Sequence, residues 1–326
     1  MSKIKIPARY SNNASDGLYT SGSFTYEALY RYISGSNTNE SLVRLNVTGS
    51  SAPSSTEACI MNLVSSGSEL YLFVRDETPD SSTVKKLFLS GANIRDNDEW
   101  HISFGRSAAH ERKVIPTYKN KKSNREEYFL RAAKQFSGDI LEIFHTSSHY
   151  PSSNNSVLSN ASDDYNKSGS FLVVGKQNFE LSSTSKFLND TSGDSTVPAL
   201  AQTSDFSGLL TNIRFWSRKV TDTEWKEHIK NYASVGTRYP DVNYNFSNDV
   251  TGSFERLIIQ TDGKQFMSSS DNSGNVRFYD FSQNNLHFTG SGFEQNKRVF
   301  TPVSVNYEVL SDKFDLNYAK TKIRIR

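Results

Sequence analysis

A retaining glycosidase needs a nucleophile and a general acid about 5–5.5 Å apart, and on a strand an even spacing puts two side chains on one face. The E-x-D-x-x-E pattern that meets this need occurs nowhere in the chain. The densest acidic cluster, Asp96, Asp98 and Glu99, stands just before Trp100 and reads as a turn. His145 and His149, in HTSSH, have the i, i+4 spacing of a helical metal pair. The Thr, Ser, Tyr and Pro around them argue for a loop, and the central Glu of a zincin is missing. DNSGN (Asp271–Asn275) resembles an Asp-box turn with its glycine one residue late, and a plain hairpin turn describes it better. No Ser stands in G-x-S-x-G and no Gly-rich phosphate loop opens a helix. Catalysis is not expected, and no catalytic, cofactor-binding or metal residue is assigned.

Binding chemistry is better represented. Asp163, Asp164, Asp190, Asp194 and Asp205 are acids in turn-rich sequence. Calcium sites draw oxygen ligands from separated loops; these acids read first as solvated turn residues, so no cofactor is expected, with calcium left as the open alternative that is not claimed. The single cysteine, Cys59, excludes an internal disulfide framework, and its apolar neighbours make it a buried structural thiol. ERKVIPTYKNKKSNR (Glu111–Arg125) is basic, yet Tyr118 is its one aromatic, whereas single-strand nucleic-acid binders use several stacking platforms. A solvated loop is the better reading. Tyr118, Tyr150 and Tyr165 are the loop aromatics that would stack on sugar faces if the chain binds glycans.

These residues must be carried by strands. The chain has 326 residues, 35% apolar and 12% aromatic, with a net charge of +2. It is rich in Ser, Thr and Asn, but disordered chains are poor in aromatics and strongly charged. A near-neutral balance lacks the electrostatic footprint of a nucleic-acid binder. MSKIKIPARYSNN has no apolar signal-peptide core, and no run approaches the length of a membrane span. Short β-branched and aromatic runs between turns predict strands at Ser23–Tyr32, Ser41–Val47, Ala58–Val64, Glu69–Arg75, Lys85–Leu89, Glu99–Phe104, Tyr128–Ala132, Ile140–His145, Ser170–Gly175, Leu209–Trp216, Arg256–Gln260 and Asn275–Asp280. In ELYLFVR, Leu70, Leu72 and Val74 share one face and Tyr71, Phe73 and Arg75 the other, as suits an inner strand of stacked sheets. Glu126–Gln135 fits a turn of helix or a strand. KIKI (Lys3–Ile6) and KTKIRIR (Lys320–Arg326) alternate basic and apolar residues, and at least one of them is expected to add to a neighbouring sheet.

One helix is expected, over Thr221–Asn231. Thr221 or Asp222 caps it, Glu224 sits early, and Lys226, His228 and Lys230 sit late, as the helix dipole favours. Trp225 and Ile229 form its apolar stripe, and Gly236 is available to stop the segment.

Three stretches in order resemble the laminin-G-like and pentraxin-like branch of the concanavalin A-like jelly rolls. GSFTYEALYRY (Gly22–Tyr32) is similar to the family's opening strand, with Leu29 where an aromatic often stands. DNDEWHISFGR (Asp96–Arg106) is similar to its G-x-W-H-H strand, with Ile102 for the second His. SFLVVGKQN (Ser170–Asn178) and then FSGLLTNIRFWSRKVTDTEW (Phe206–Trp225) resemble its closing strands and helix, without the acidic pair the family carries where Thr211 and Asn212 stand. The resemblance implies an all-β, concanavalin A-like (laminin-G-like) antiparallel β-sandwich jelly roll with a short capping helix and a β-rich C-terminal extension. Trp100, Phe206, Gly208, Phe215, Trp216 and Trp225 are its core signature. Leu210, Ile213 and Phe215 or Trp216 would pack between the sheets, with the helix over one end.

The expected organisation is an N-terminal arm (1–20), the sandwich (21–236) and a β-rich accessory segment or the start of a further module (237–326). In the last, Asp280, Ser282, Asn284 and Gly290 resemble the linking pattern that opens another such repeat. The resemblance extends to modules in structural proteins of large DNA viruses and phages. It implies a non-catalytic virion component that contacts other structural proteins of a large assembly. The alternative is a carbohydrate-binding adhesion module for host-surface glycans, at a cell surface or outside the cell as part of a larger protein. Neither nucleic acid nor a membrane span is expected.

Overall fold

The computed structural model describes residues 3–7, 23–32, 39–48, 57–75, 84–107, 125–136, 139–151, 170–175, 204–206, 208–231, 234, 257–261, 266–268, 276–282 and 288–291. They form two sheets and one helix. The larger sheet runs β14 (Phe266–Ser268), β15 (Val276–Phe278), β16 (Phe288–Ser291), β1 (Lys3–Pro7), β10 (Ser170–Val174), β3 (Glu40–Thr48), β4 (Glu57–Ser66), β5 (Glu69–Arg75) and β6 (Val84–Leu89). A short β11 (Ser204–Asp205) lies parallel to β3; the other pairings are antiparallel. The smaller sheet runs β13 (Leu257–Thr261), β12 (Gly208–Trp216), β2 (Phe24–Tyr32), β7 (Glu99–Ser107), β8 (Arg125–Phe136) and β9 (Asp139–Pro151). This is the all-β jelly-roll sandwich class expected from the sequence. Strands from both sides of residue 236 share each sheet, since β13 bonds to β12 and β16 bonds to β1.

Alternation builds the core. Phe24, Tyr26, Ala28, Tyr30 and Tyr32 of β2, Trp100, Ile102 and Phe104 of β7, and Tyr128, Leu130 and Ala132 of β8 point inward. They meet Leu70, Leu72 and Val74 of β5, Leu87 and Leu89 of β6, and Leu172 and Val174 of β10. Each fully buried side chain of this size contributes roughly 1.5–3 kcal/mol. Phe206 closes one end edge-on against Tyr30 and Tyr32, at 5.6 and 5.0 Å between ring centres. Gly208 follows because a Cβ there would meet the Phe206 ring and the Arg31 carbonyl at 2.5 Å. Those contacts account for the F-S-G stretch.

Two expectations change, for the helix and for HTSSH. Leu210, Ile213 and Phe215 of β12 face the core as expected, and they do so without simple alternation because a bulge lies between Thr211 and Arg214, with Asn212 in the left-handed region at φ 51°. Asn tolerates that conformation better than most residues. The helix α1 (Asp222–Lys230) covers the outward face of the smaller sheet rather than an end of the sandwich. HTSSH lies in β9, not in a loop, opposite Arg131 and Glu127 of β8; along a strand, i and i+4 stand about 13 Å apart, too far for one metal. KIKI forms β1, the expected strand added to a sheet, bonded to both β10 and β16. Glu126–Gln135 is strand, within β8. KTKIRIR, the DNSGN turn and Gly236 lie outside the described residues, as does the side chain of Cys59, whose backbone pairs with Asn46 in the β3–β4 ladder.

Asp280 and Ser282 have a structural role. The Asp280 carboxylate accepts from the Gln260 and Ser282 backbone N–H groups at 2.8 and 2.9 Å, and the Ser282 hydroxyl donates to the Ile258 carbonyl at 2.8 Å. The segment thereby satisfies backbone groups on the free side of β13.

Candidate functional site

The outward face of the smaller sheet carries one conspicuous polar residue on each of four adjacent strands: Arg214 on β12, Glu27 on β2, His101 on β7 and Arg131 on β8. All four side chains are fully buried. The α1 segment covers them. Thr221 caps the helix in a capping box with Glu224, which also binds Arg218 at 2.8 Å. Trp225 and Ile229 then descend onto Ala133, Trp216, Val220 and Leu257.

Each strand residue holds a different part of this segment. Arg131 donates to the Val220 carbonyl at 2.8 Å and pairs with Asp222 at 3.3 Å, fixing the helix start. Arg214 donates to the Ser234 carbonyl at 2.8 Å, fixing the chain beyond its end. Trp225 donates its indole N–H to His101 Nδ1 at 2.9 Å. An indole can only donate, so His101 is a neutral imidazole with its proton on Nε2. Burial agrees, holding the His101 pKa down to about 3. His228 Nδ1 lies 2.9 Å from Glu27, whose ionised carboxylate can only accept, so the imidazole donates. Burial alone would raise the Glu27 pKa; His228, and to a lesser degree His101 and Arg214, outweigh it and bring it to about 2.

A buried carboxylate with two imidazoles and two guanidiniums has the composition of an acid–base site. Here every member is sealed from solvent and engaged in holding the helix to the sheet. Its chemistry is fastening.

The accessible chemistry lies on the opposite side of the molecule, on the outward face of the larger sheet. Tyr71 and Phe73 on β5 stack at 5.8 Å and 17°, and Tyr71 stacks on Phe88 of β6 at 6.1 Å and 27°. Tyr71 and Phe88 are direct cross-strand partners, as are Phe73 and Lys86. Phe88 is 49% exposed, Tyr71 is half-buried, and Phe73 is buried. The Lys86 ammonium stands 5.6 Å from the Tyr71 ring centre and 5.9 Å from that of Phe88. The Tyr71 hydroxyl donates to Glu69; burial and that bond push its pKa up to about 12. The result is an aromatic surface with a cation and a carboxylate at its margin.

The residues singled out from sequence fall differently. Trp100 and Phe215 lie between the sheets, Trp216 and Trp225 lie under or on the helix side, and Phe206 and Gly208 close one end. Tyr150 pairs with Glu126 in the β8–β9 ladder, with its side chain outside the description; Tyr118 and Tyr165 lie outside the described residues altogether. Asp205 is in β11 and the other four loop acids are not described. Among the described residues, no group of three or more His, Cys, Asp or Glu could hold a metal, and no helix is long and apolar enough to cross a membrane. The Asp96 turn is as expected, and its carboxylate accepts from the Asp98 N–H, the Trp100 indole and Lys134. The aromatic surface was missed. The two-faced alternation of ELYLFVR and VKKLFL was its signal, but only the β5–β6 register brings the outward aromatics together.

No family model and no curated protein sequence matches the chain. Solved structures with a similar arrangement include full-length tailspike protein 2 from Escherichia coli O157:H7 bacteriophage CAB120, at 12% identity and TM-score 0.36 over 65% of this chain. They also include the CBM40 module of Ruminococcus gnavus IT-sialidase bound to α2,3-sialyllactose, at 13% identity and TM-score 0.35, covering 70% of this chain and 96% of that one. A third is the SAP-like pentraxin from Limulus polyphemus, at 12% identity and TM-score 0.33, covering 73% and 84%. The chain spans 22% of the tailspike's length.

Proposed function

We propose that the chain is a non-catalytic binding module that holds a glycan against the aromatic surface of β5 and β6. The observation that carries this reading is the stacking of half-buried Tyr71 on exposed Phe88, backed by the buried Phe73, with Lys86 and Glu69 beside them. A pyranose has an apolar C–H face and a rim of hydroxyls. Aromatic side chains offer large apolar area at low entropy cost, and their polar neighbours serve the wet side. The carboxylates with displaced pKa values, Glu27, Asp96 and Glu224, each hold backbone or helix in place.

The test is a glycan array followed by titration of the hits. Tyr71→Ala and Phe88→Ala should each weaken binding about tenfold, as truncation of a central contact does, with thermal midpoints close to wild type for the exposed Phe88. A wild-type chain that binds no glycan, or a double variant that binds as well as wild type, sinks the reading.

A second reading, contact with neighbouring proteins of a large assembly such as a virion, is favoured by the β8–β9 hairpin. Leu141 is 57% exposed, Ile143 44% and Phe136 47%, and β9 ends the smaller sheet among the described residues. A long edge strand with exposed apolar residues is a template for pairing. Under this reading the wild-type chain co-sediments with its native particle and a Leu141→Asp, Ile143→Asp variant does not. Equal sedimentation of the two as free monomers removes it.

A further inference from the structure

Lys86 bears on what kind of glycan the aromatic surface takes. It shares the outward face of β6 with Phe88 and sits opposite Phe73 in the β5–β6 register. Its ammonium is therefore held at the rings, 5.6 Å from the centre of Tyr71 and 5.9 Å from that of Phe88. A lysine head on an exposed strand is ordinarily a strongly hydrated charge at the end of a flexible stem. Here the negative ring faces attract it and keep it at the apolar surface. The side chain is exposed, and among the described residues no carboxylate pairs with it. The acid on the same surface, Glu69, is engaged by the Tyr71 hydroxyl.

A cation placed beside the rings meets whatever a sugar carries when its ring lies there. A neutral hydroxyl would gain one ordinary hydrogen bond, whereas an anionic substituent gains a charge-assisted one, roughly twice as strong. We infer that this surface selects anionic saccharides, with a carboxylate or sulfate on the sugar meeting the Lys86 ammonium while the ring rests on Tyr71 and Phe88. This inference rests on the glycan reading above.

The experiment measures binding of the full chain to three length-matched probes: an oligogalacturonate, a sulfated oligogalactan and a neutral oligogalactan. The wild type should bind at least one anionic probe about fivefold more tightly than the neutral one at low salt, with the gap narrowing as salt screens the pair. Preference for the carboxylated or the sulfated probe identifies the anion. Lys86→Gln should close the gap by bringing the anionic probe's affinity down to that of the neutral one measured on the same variant, and Lys86→Arg should keep it. Equal wild-type affinity for all three probes, or a gap that survives in Lys86→Gln, overturns the inference and leaves the glycan reading standing. A wild type that binds none of the three, nor any arrayed glycan, removes both.

Discussion

Glu27→Gln should destabilise the folded chain by about 3–5 kcal/mol, the usual cost of removing the carboxylate that balances buried cations, here the Arg214 and Arg131 guanidiniums. Glu27 and His228 are both fully buried and joined at 2.9 Å, with Arg214 also acting on the carboxylate. The amide has the same shape, so no cavity accompanies the loss. What remains is positive and polar groups under α1 without their counter-charge. Urea unfolding measures it, and a midpoint equal to wild type would refute the fastening role.

The same cluster should make the chain acid-labile. The His101 pKa falls from 6.5 to about 3 on folding because burial disfavours the imidazolium. The unfolded chain therefore takes up a proton below about pH 6.5 that the folded one refuses, and stability declines from there toward pH 3. The Glu27 pKa falls from 4.5 to about 2, so its contribution is present above pH 4.5 and is lost as pH drops toward 2. Both act in one direction. Thermal midpoints should fall progressively from about pH 6.5 downward, and Glu27→Gln should flatten the lower part of that decline. A wild-type midpoint that holds level from pH 7 to pH 3 contradicts the assignment.

Trp216→Ala is the second large effect, about 3–5 kcal/mol, because truncation leaves a cavity as well as losing burial. Trp216 is fully buried, stacks on His228 at 5.4 Å and 11°, and lies 5.2 Å from the Arg218 guanidinium. Its neighbour Phe215 points the other way and stacks on Phe24 at 5.5 Å inside the sandwich. Phe215→Ala should cost a similar amount for a different reason. The variants separate by where they loosen: Trp216→Ala should shift Trp225 fluorescence to the red as α1 loses its seat, whereas Phe215→Ala should not do so before global unfolding. Trp216→Ala and Glu27→Gln should also be non-additive, since both bear on His228. Should both alanine variants unfold at the wild-type midpoint, the two-sided packing of β12 is wrong.

That two-sidedness shows where reading residues alone succeeds and stops. Period-two alternation placed Leu70, Leu72 and Val74 on one face of β5, and capping chemistry located α1 with Thr221 and Glu224 at its start and Trp225 and Ile229 on its buried stripe. These are local properties, set within a few residues by backbone geometry, and they are enough to specify strands, a helix and a two-sheet fold class. Parity could not decide between Phe215 and Trp216, because it says which residues share a face and not whether a face is covered. Both faces of β12 are covered, one by the other sheet and one by the helix. The left-handed turn of Asn212, which breaks the alternation, is held by pairing to β2. Nothing local in their strands marks Glu27, His101, Arg131 and Arg214 as buried. They are buried because α1, which lies as many as 201 residues from them in sequence, folds back over that face. The aromatic surface likewise exists only through the register of β5 against β6, which sets Phe88 beside Tyr71 and Lys86 beside Phe73. The sequence by itself determined the helix and most of the strands, while β11, β14 and β16 form only as partners of β3, β15 and β1. What lies beneath or beside what was decided by tertiary pairing, since burial and strand register depend on residues distant in the chain.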